Sequence, residues 1–150
     1  MQRFYSGVGA RKTPAAVQDH MRRIAENLRD QGFVLRSGGA NGADRAFESG
    51  AGTAKEIFLP WAGFNGSSCG LVPPDMHRAM EIAARHHPGW RHCNAVSRAI
   101  HARNVCIVLG VDLETPSEFL ICWTADGRAS GGMGQAVRVA RAYRVPVVFL

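Results

Sequence analysis

The sequence predicts an α/β protein with a doubly wound, mainly parallel sheet and helices on both faces. Two observations carry this prediction. Short apolar segments alternate with helix-like segments along the chain, and three glycine-rich turns stand before helix-like segments. Because the turns that follow parallel strands meet at the carboxyl edge of the sheet, they predict one composite site there. A chain of 150 residues has room for one core, which predicts one domain over residues 1–150.

The first predicted strand covers residues 3–8, and the helix after it has a defined start and end. Thr13 is the expected N-cap, Pro14 stands in the first turn, and Gly32 ends the helix. The inward positions of this helix recur at helical spacing and are Val17, Met21, Ile24, Ala25 and Leu28.

Two further strands and a short helix follow. Residues 33–35 form the second predicted strand, residues 45–49 a short helix, and residues 55–59 a third strand that ends at Pro60. Residues 61–74 contain five glycines and prolines and form the longest irregular stretch. Such a stretch predicts a lid or rim over the site.

The second half of the chain is predicted to alternate in the same way. Asp75 caps a helix that runs to His87, and another helix covers residues 94–103. Residues 104–110 are apolar without a break, which is typical of a central parallel strand buried on both faces. The remaining elements are a strand, a helix and a strand at residues 118–123, 136–143 and 145–150.

The net charge of +6 comes mostly from arginine, since the chain has only two lysines. Arginine-rich chains favour anionic partners such as nucleotides, phosphates or nucleic acid, although the charge also serves solubility. No apolar run approaches the roughly 20 residues that span a bilayer, and the N-terminus has no signal-peptide pattern. We therefore expect a cytoplasmic protein with no membrane partner.

The cysteines show no paired spacing, so reduced thiols are expected. His86, His87, His92 and Cys93 lie close together in the sequence. No two of them share the helix-face spacing typical of zinc sites, so the sequence predicts no metal. No other cofactor is predicted.

The turn between the second strand and the short helix is the first candidate for ligand binding. Gly38 and Gly39 allow positive φ and close approach of a ligand, and Asp44 can accept hydrogen bonds from the turn or from a ribose hydroxyl. A tight structural connection is the alternative. The candidate ligand-binding residues of this turn are Ser37, Gly38, Gly39, Ala40 and Asp44.

The first and third glycine turns supply the other backbone candidates. Arg11 stands just after the first turn and is a candidate phosphate ligand, and Arg138 stands one turn into the last helix, where it can face the same anion. The ligand-binding candidates of these two turns are Gly7, Gly9 and Arg11, and Gly131, Gly132, Met133, Gly134 and Gln135.

Two carboxylates are the catalytic candidates. Asp44 and Glu48 are four residues apart on one helix face, so they can activate water or hold a ribose together. The alternative is that Asp44 caps its own helix and Glu48 pairs with a neighbouring arginine.

The irregular stretch offers three more candidates with two interpretations. Trp61 and Phe64 can stack on a base while Asn65 bonds to it. Equally, the two aromatic rings can simply hold the loop in place.

Several stretches resemble the SLOG superfamily, which joins the DNA-processing protein A (Smf) proteins and the lonely-guy phosphoribohydrolases. SGGANGAD (residues 37–44), followed by AFE and GA, is similar to the second signature of that superfamily. The stretches that resemble its YpsA-related, DprA-like branch are EIFLPW (56–61), ARN (102–104), CWT (122–124) and GGMGQA (131–136). The resemblance implies a Rossmann-like fold that binds nucleotides or their derivatives, often in dimers. The apolar strand at residues 145–150 is a candidate for such an interface. Small proteins of this branch are often encoded in phage and prophage genomes, so the resemblance also implies such a source.

The resemblance gives two more residues a role and argues against one mechanism. It implies that Arg103 pairs with a phosphate and that Asn104 bonds a base or ties down a glycine loop, with an interhelix salt bridge as the alternative for Arg103. Lonely-guy enzymes carry PGGxGTxxE in the last glycine loop. Here Ser130, Gln135 and Arg138 stand at the proline, threonine and glutamate positions, so the acid that supports glycosidic cleavage is missing.

The leading functional prediction is a sensor or sequestering protein for a nucleotide derivative. An enzyme that hydrolyses a nucleotide through Asp44 or Glu48 is the second. Single-stranded DNA binding is the third, and it requires a basic groove with exposed aromatic residues, for which the candidates are Trp61, Trp90 and Trp123.

Overall fold

A parallel sheet organises the fold. The computed structural model describes residues 2–129 and 132–150. Its strands are β1 (Arg3–Gly9), β2 (Phe33–Ser37), β3 (Lys55–Ile57), β4 (Leu120–Trp123) and β5 (Val147–Phe149). They form a five-stranded sheet in the order β3-β2-β1-β4-β5, and every neighbouring pair is parallel.

Helices cover both faces of the sheet. They are α1 (Ala15–Asp30), α2 (Ala43–Ala51), α3 (Met76–His86), α4 (Ala95–Leu109) and α5 (Gly134–Ala142). The helices α1 and α2 bury Met21 and Phe47 in one core, and the other three bury Ile82, Val105 and Val137 in a second core. The predicted doubly wound α/β fold is therefore confirmed.

The largest correction concerns residues 104–110, which are not a strand. They continue α4, which Asn94 caps by accepting the amide of Ser97 at 2.8 Å and which ends at Gly110. Every residue from Ala102 to Leu109 is buried, because this half of α4 is enclosed by the sheet, α3 and α5. A helix buried on all sides has the same unbroken apolar run as a buried strand, so the pattern alone did not separate them.

One of the two predicted helix caps is also corrected. Thr13 does not cap α1, because Pro14 occupies the N-cap position and the Thr13 hydroxyl donates to the Ala10 carbonyl at 2.5 Å. Asp75 does cap α3, since its carboxylate accepts the amide of Arg78 at 3.0 Å.

The winding of the chain reverses between β1 and β4. From β1 the chain moves outward through β2 to β3, and α3 and α4 then return it to β4 on the other side of β1. A doubly wound sheet opens a crevice at the carboxyl ends of the two strands where this reversal occurs. In this chain the crevice lies beyond Gly9 and Trp123, where β1 and β4 end.

Four further predictions concern membrane spans, the number of domains, the cellular location and the oligomeric state. Within residues 2–129 and 132–150, no helix has both the length and the apolar character needed to cross a membrane. The assignment of residues 1–150 to one domain, the cytoplasmic location and the dimer stay predictions.

Candidate functional site

A cavity of about 470 Å³ opens at the carboxyl ends of β1 and β4. Its volume lies within the range of about 300–1,000 Å³ that is usual for small-molecule sites. The walls come from the turn after β1, the turn before α2, one side of α4 and the residues around the start of α5. Parts of all three glycine turns therefore meet at one cavity.

The turn between β2 and α2 packs against a buried arginine. The Nη1 atom of Arg103 donates to the Gly38 carbonyl at 2.5 Å and to the Phe58 carbonyl at 3.3 Å. A Cβ on residue 38 would lie 2.8 Å from both Arg103 Nη1 and Asp44 Oδ2, closer than real Cβ atoms approach. Glycine is thus required at 38 by close approach, and at Gly39 by a φ of +69°.

Asp44 lies in the first turn of α2, on the wall of the cavity, and only 6% of its surface is exposed. Its Oδ2 atom accepts the amide of Ala40, another residue of the wall, at 3.2 Å. Burial raises the pKa of this carboxyl to about 6, against the charge of Arg103 and the Ala40 hydrogen bond, which both lower it. Asp44 therefore changes charge near neutral pH.

Arg103 and Asn104 lie within α4 rather than at a helix–strand junction, and both line the cavity. Arg103 Nε donates to Asn104 Oδ1 at 2.8 Å, while burial lowers the pKa of Arg103 and the charge of Asp44 opposes that effect. None of the hydrogen bonds between described residues uses Nη2 of Arg103. The charge of Arg103 acts on Asp44 of α2, so the electrostatic pair joins two helices, and it does so at the cavity wall.

The third glycine turn is tied to α4. Asn104 Nδ2 donates to the Gly132 carbonyl at 3.2 Å, so the amide holds a glycine loop, one of its two predicted roles. Gly132 and Met133 line the cavity. Gly134 does not line it and packs instead on the backbone of Ala129, 2.9 Å from where its Cβ would be. The predicted ligand residue Gly131 lies outside the described residues.

Gln135 and Arg138 do not line the cavity. Gln135 is fully buried and donates to the Ala83 carbonyl at 2.9 Å. Arg138 Nε donates to Gln135 Oε1 and to the His86 carbonyl, each at 3.1 Å. Both side chains therefore join α5 to α3, and the structure does not bring them to the anion position suggested by the sequence.

The first glycine turn contributes differently at each position. Gly9 and Arg11 line the cavity, and the Arg11 side chain is exposed. Gly7 does not line it; a Cβ there would lie 2.7 Å from the Phe47 ring, so this glycine allows α2 to pack closely on β1. The Ser37 hydroxyl donates to the Gly7 carbonyl at 2.7 Å and joins β2 to β1.

Glu48 lies apart from Asp44. Its carboxylate pairs with Lys55 Nζ at 2.7 Å, and it does not line the cavity. The two carboxylates share a helix, but of the two only Asp44 lines this cavity. The predicted pairing of Glu48 with an arginine is replaced by pairing with a lysine.

The irregular stretch reaches the cavity through Phe64, which lines the wall 5.3 Å from the guanidinium of Arg103. Trp61 contacts the Phe64 ring edge-on at 5.4 Å and is 40% exposed. Asn65 Nδ2 donates to the Gly39 carbonyl at 3.0 Å, which fixes the loop to the glycine turn. The stretch therefore reaches the edge of the cavity at Phe64, and the side-chain amide of Asn65 holds the loop to the glycine turn.

Sequence reasoning missed part of the α4 wall. Ile100 and Ile107 line the cavity together with Arg103 and Asn104. These four positions have the i, i+3, i+4, i+7 spacing of one helix face, but two of them are polar, so they give no apolar helical period in the sequence.

Sequence reasoning also missed a second cluster. His101 of α4 lies beside His87 and Cys93, although eight residues separate it from Cys93 in the chain. Only the tertiary packing of α4 against the end of α3 brings these donors together.

The sequence matches no protein-family model and no curated protein. Solved structures of other proteins are similar in fold. DNA processing protein A from Helicobacter pylori, described for its single-stranded DNA binding mode, has a TM-score of 0.65 and 18% identity over 99% of this chain. The Moco carrier protein of Chlamydomonas rheinhardtii has a TM-score of 0.58 and 14% identity over 99% of this chain.

The fold is Rossmann-like. This chain spans 64% of the Helicobacter pylori chain and 76% of the Chlamydomonas chain. At these identities the similarity shows the shared fold alone.

Proposed function

We propose that this chain binds a nucleotide or nucleotide derivative in the cavity at the ends of β1 and β4, as a sensor or a sequestering protein. The observation that carries the proposal is the buried pair of Asp44 and Arg103 on the wall of this cavity. Desolvation of such a pair is costly, and the raised pKa of Asp44 reflects that cost. A polar ligand gives both groups new hydrogen-bond partners.

The walls of the cavity suit the parts of a nucleotide. Arg11 is an exposed cation that lines the cavity, and Arg103 lines it with no hydrogen bond from Nη2 to the described residues, so both are candidates to bind phosphate oxygens. The Asp44 carboxylate can accept a hydrogen bond from a ribose hydroxyl. Phe64 and Met133 give the cavity apolar surface on which a base can stack.

Membership of the SLOG superfamily is part of the same proposal. It is supported by the SGGANGAD stretch at the β2–α2 turn and by the Rossmann-like fold shared with two solved structures. One of them is named a carrier of Moco, which supports a small-molecule role for the fold.

Native mass spectrometry of the protein as purified, followed by a thermal-shift screen of nucleoside mono-, di- and triphosphates, tests the proposal. We expect a specific bound nucleotide, or a shift of several degrees with one compound. If no compound binds at millimolar concentration, the glycine turns are structural and the proposal fails.

Hydrolysis of the bound nucleotide is a second candidate, favoured by one observation. Asp44, with a pKa of about 6 in a cavity, can serve as a general base near neutral pH. Turnover that is abolished in Asp44→Asn while nucleotide binding persists would support it. Turnover that is unchanged in this variant would exclude Asp44 as the base.

Single-stranded DNA binding is a third candidate, favoured by the neighbour from Helicobacter pylori and by the net charge of +6. The predicted stacking residues weigh against it. Trp90 and Trp123 pack against cores on opposite faces of the sheet, so they do not form one stacking surface. Fluorescence anisotropy with an oligothymidine should show steep salt dependence if this candidate is right.

A further inference from the structure

A second group of donor side chains lies where the end of α3 meets α4. His87 directly follows α3, Cys93 follows a short 3-10 turn, and His101 lies in the middle of α4. Their ligand atoms all lie within 4.8 Å of one another. We propose that His87, Cys93 and His101 bind a transition-metal ion such as Zn²⁺, at a site separate from the nucleotide cavity.

The three donor side chains lie close enough together to share one metal ion. Cys93 Sγ lies 4.0 Å from His87 Nδ1 and 3.9 Å from Nε2, and the rings of His87 and His101 are 4.4 Å apart at their centroids. Tetrahedral zinc with usual bond lengths holds nitrogen and sulfur ligands about 3.6 Å apart. Binding one ion therefore requires the side chains to rotate, because Cys93 Sγ is almost equally far from both nitrogens of His87.

His101 has a ring nitrogen that a metal ion can bind. The Nδ1 atom of His101 is buried and has no hydrogen-bond partner among the described residues. A buried ring nitrogen without a partner is a position that a bound ligand can satisfy.

One existing hydrogen bond must be exchanged. The Gly89 amide donates to His87 Nδ1 at 3.0 Å, so a metal either takes that lone pair or requires the ring to be protonated at Nδ1. In both cases the amide needs another acceptor. Binding as a thiolate also gives up the weak contact that the Cys93 thiol makes with the Gly89 carbonyl, 3.6 Å away.

The donor set indicates the class of metal. One thiolate and two imidazoles favour zinc, copper or cobalt over magnesium and calcium, which prefer oxygen ligands. Three protein ligands leave a fourth position for water or an exogenous group. Since His101 lies two residues before Arg103 on α4, an occupied site would also fix the helix that carries the cavity wall.

Cobalt titration of the tag-free protein tests the proposal. We expect one Co²⁺ per chain with a thiolate-to-cobalt charge-transfer band, lost in Cys93→Ala and retained in Cys69→Ala, which changes an exposed cysteine outside the cluster. The absence of the band in the parent protein, or its persistence in Cys93→Ala, would overturn the proposal.

A second pair of variants guards against a folding artefact. His87→Gln should weaken Zn²⁺ affinity by more than about tenfold in competition with a chromophoric chelator, because loss of even an outer partner costs that much. His92→Gln, which changes an exposed histidine next to Cys93, should bind as the parent does. Equal affinity of the His87 variant and the parent would contradict the assignment.

Discussion

Arg36 and Arg103 are two buried arginines that both hold irregular backbone, yet their surroundings differ. Arg36 of β2 donates to the Thr115 carbonyl at 2.6 Å and to Glu56 at 3.3 Å, and its guanidinium lies 3.9 Å from the Phe4 ring centroid. Arg103 donates to the turn at Gly38 and lines the cavity, which Arg36 does not.

The difference lies in the carboxylate that each arginine faces. The Glu56 side chain is 28% exposed and keeps contact with water, so the pair with Arg36 is complete without a ligand. Asp44 is buried, and its pKa is raised to about 6 despite the charge of Arg103. A buried arginine therefore does not by itself mark a functional site. The proposed site rests instead on a cavity that contains an incompletely compensated carboxyl group.

The largest expected effect follows from removing the cavity arginine. Arg103→Met should lower the free energy of unfolding at pH 8 by about 3–5 kcal/mol, because it leaves the Asp44 charge buried and unpaired. The loss should be smaller at pH 5, where Asp44 is protonated. Urea denaturation at both pH values measures this. A loss that is equal at the two pH values would contradict the pairing.

The second-largest effect is expected in the pH dependence of the free energy of unfolding, which should follow the titration of Asp44. Between the ordinary aspartate pKa of 3.8 and about 6, the folded chain holds a proton that the unfolded chain releases, so rising pH favours unfolding. Relative to Asp44→Asn, the parent should lose about 2–3 kcal/mol of unfolding free energy from pH 4 to pH 7. Parallel pH profiles for the two proteins, measured by urea denaturation, would refute the raised pKa.

Removal of the structural arginine should cost less and leave binding intact. Arg36→Met loses charge-assisted hydrogen bonds to Thr115 and Glu56, with an expected loss of about 2 kcal/mol. Below its melting temperature, this variant should bind the nucleotide selected by the thermal-shift screen with the parent's affinity. Weakened binding would show that the two arginines are not functionally distinct.

The smallest effect is expected for the exposed cation at the mouth of the cavity. Arg11→Ala should leave the free energy of unfolding unchanged. It should lower the affinity for the selected nucleotide by about tenfold, the equivalent of one charge-assisted hydrogen bond. The matched control is Arg23→Ala, an exposed arginine of α1 that pairs with Asp19. Calorimetric titration measures both, and an equal effect of the two changes would point to general charge attraction.

The sequence allowed much of the fold to be predicted, because alternation and turn chemistry are local signals. β1, β2 and α1 lie close to their predicted positions for that reason. Residues 104–110 were misassigned because a helix enclosed on all sides has no polar face to display its period. The face that Ile100, Arg103 and Ile107 share on the cavity wall becomes visible only in the folded structure.

The candidate site was predictable only where the backbone defines it. Gly38 and Asp44 belong to a recognisable turn before α2, and the structure places Asp44 on the cavity wall. Gln135 belongs to a similar turn but points to Ala83 of α3, because side-chain direction depends on which helix packs behind it. The approach of His101 to Cys93 depends on the same tertiary packing.

The most direct test of the proposed site is a ¹⁵N–¹H correlation spectrum of the protein, recorded with a mixture of ribonucleoside 5′-monophosphates at millimolar concentration and with inorganic phosphate as the reference. Our account predicts that the nucleotide-specific shifts fall on amides of the cavity wall, such as Gly9, Ala40 and Gly132, and spare the surroundings of Arg36. Shifts that are absent, or that centre away from this wall, would contradict it.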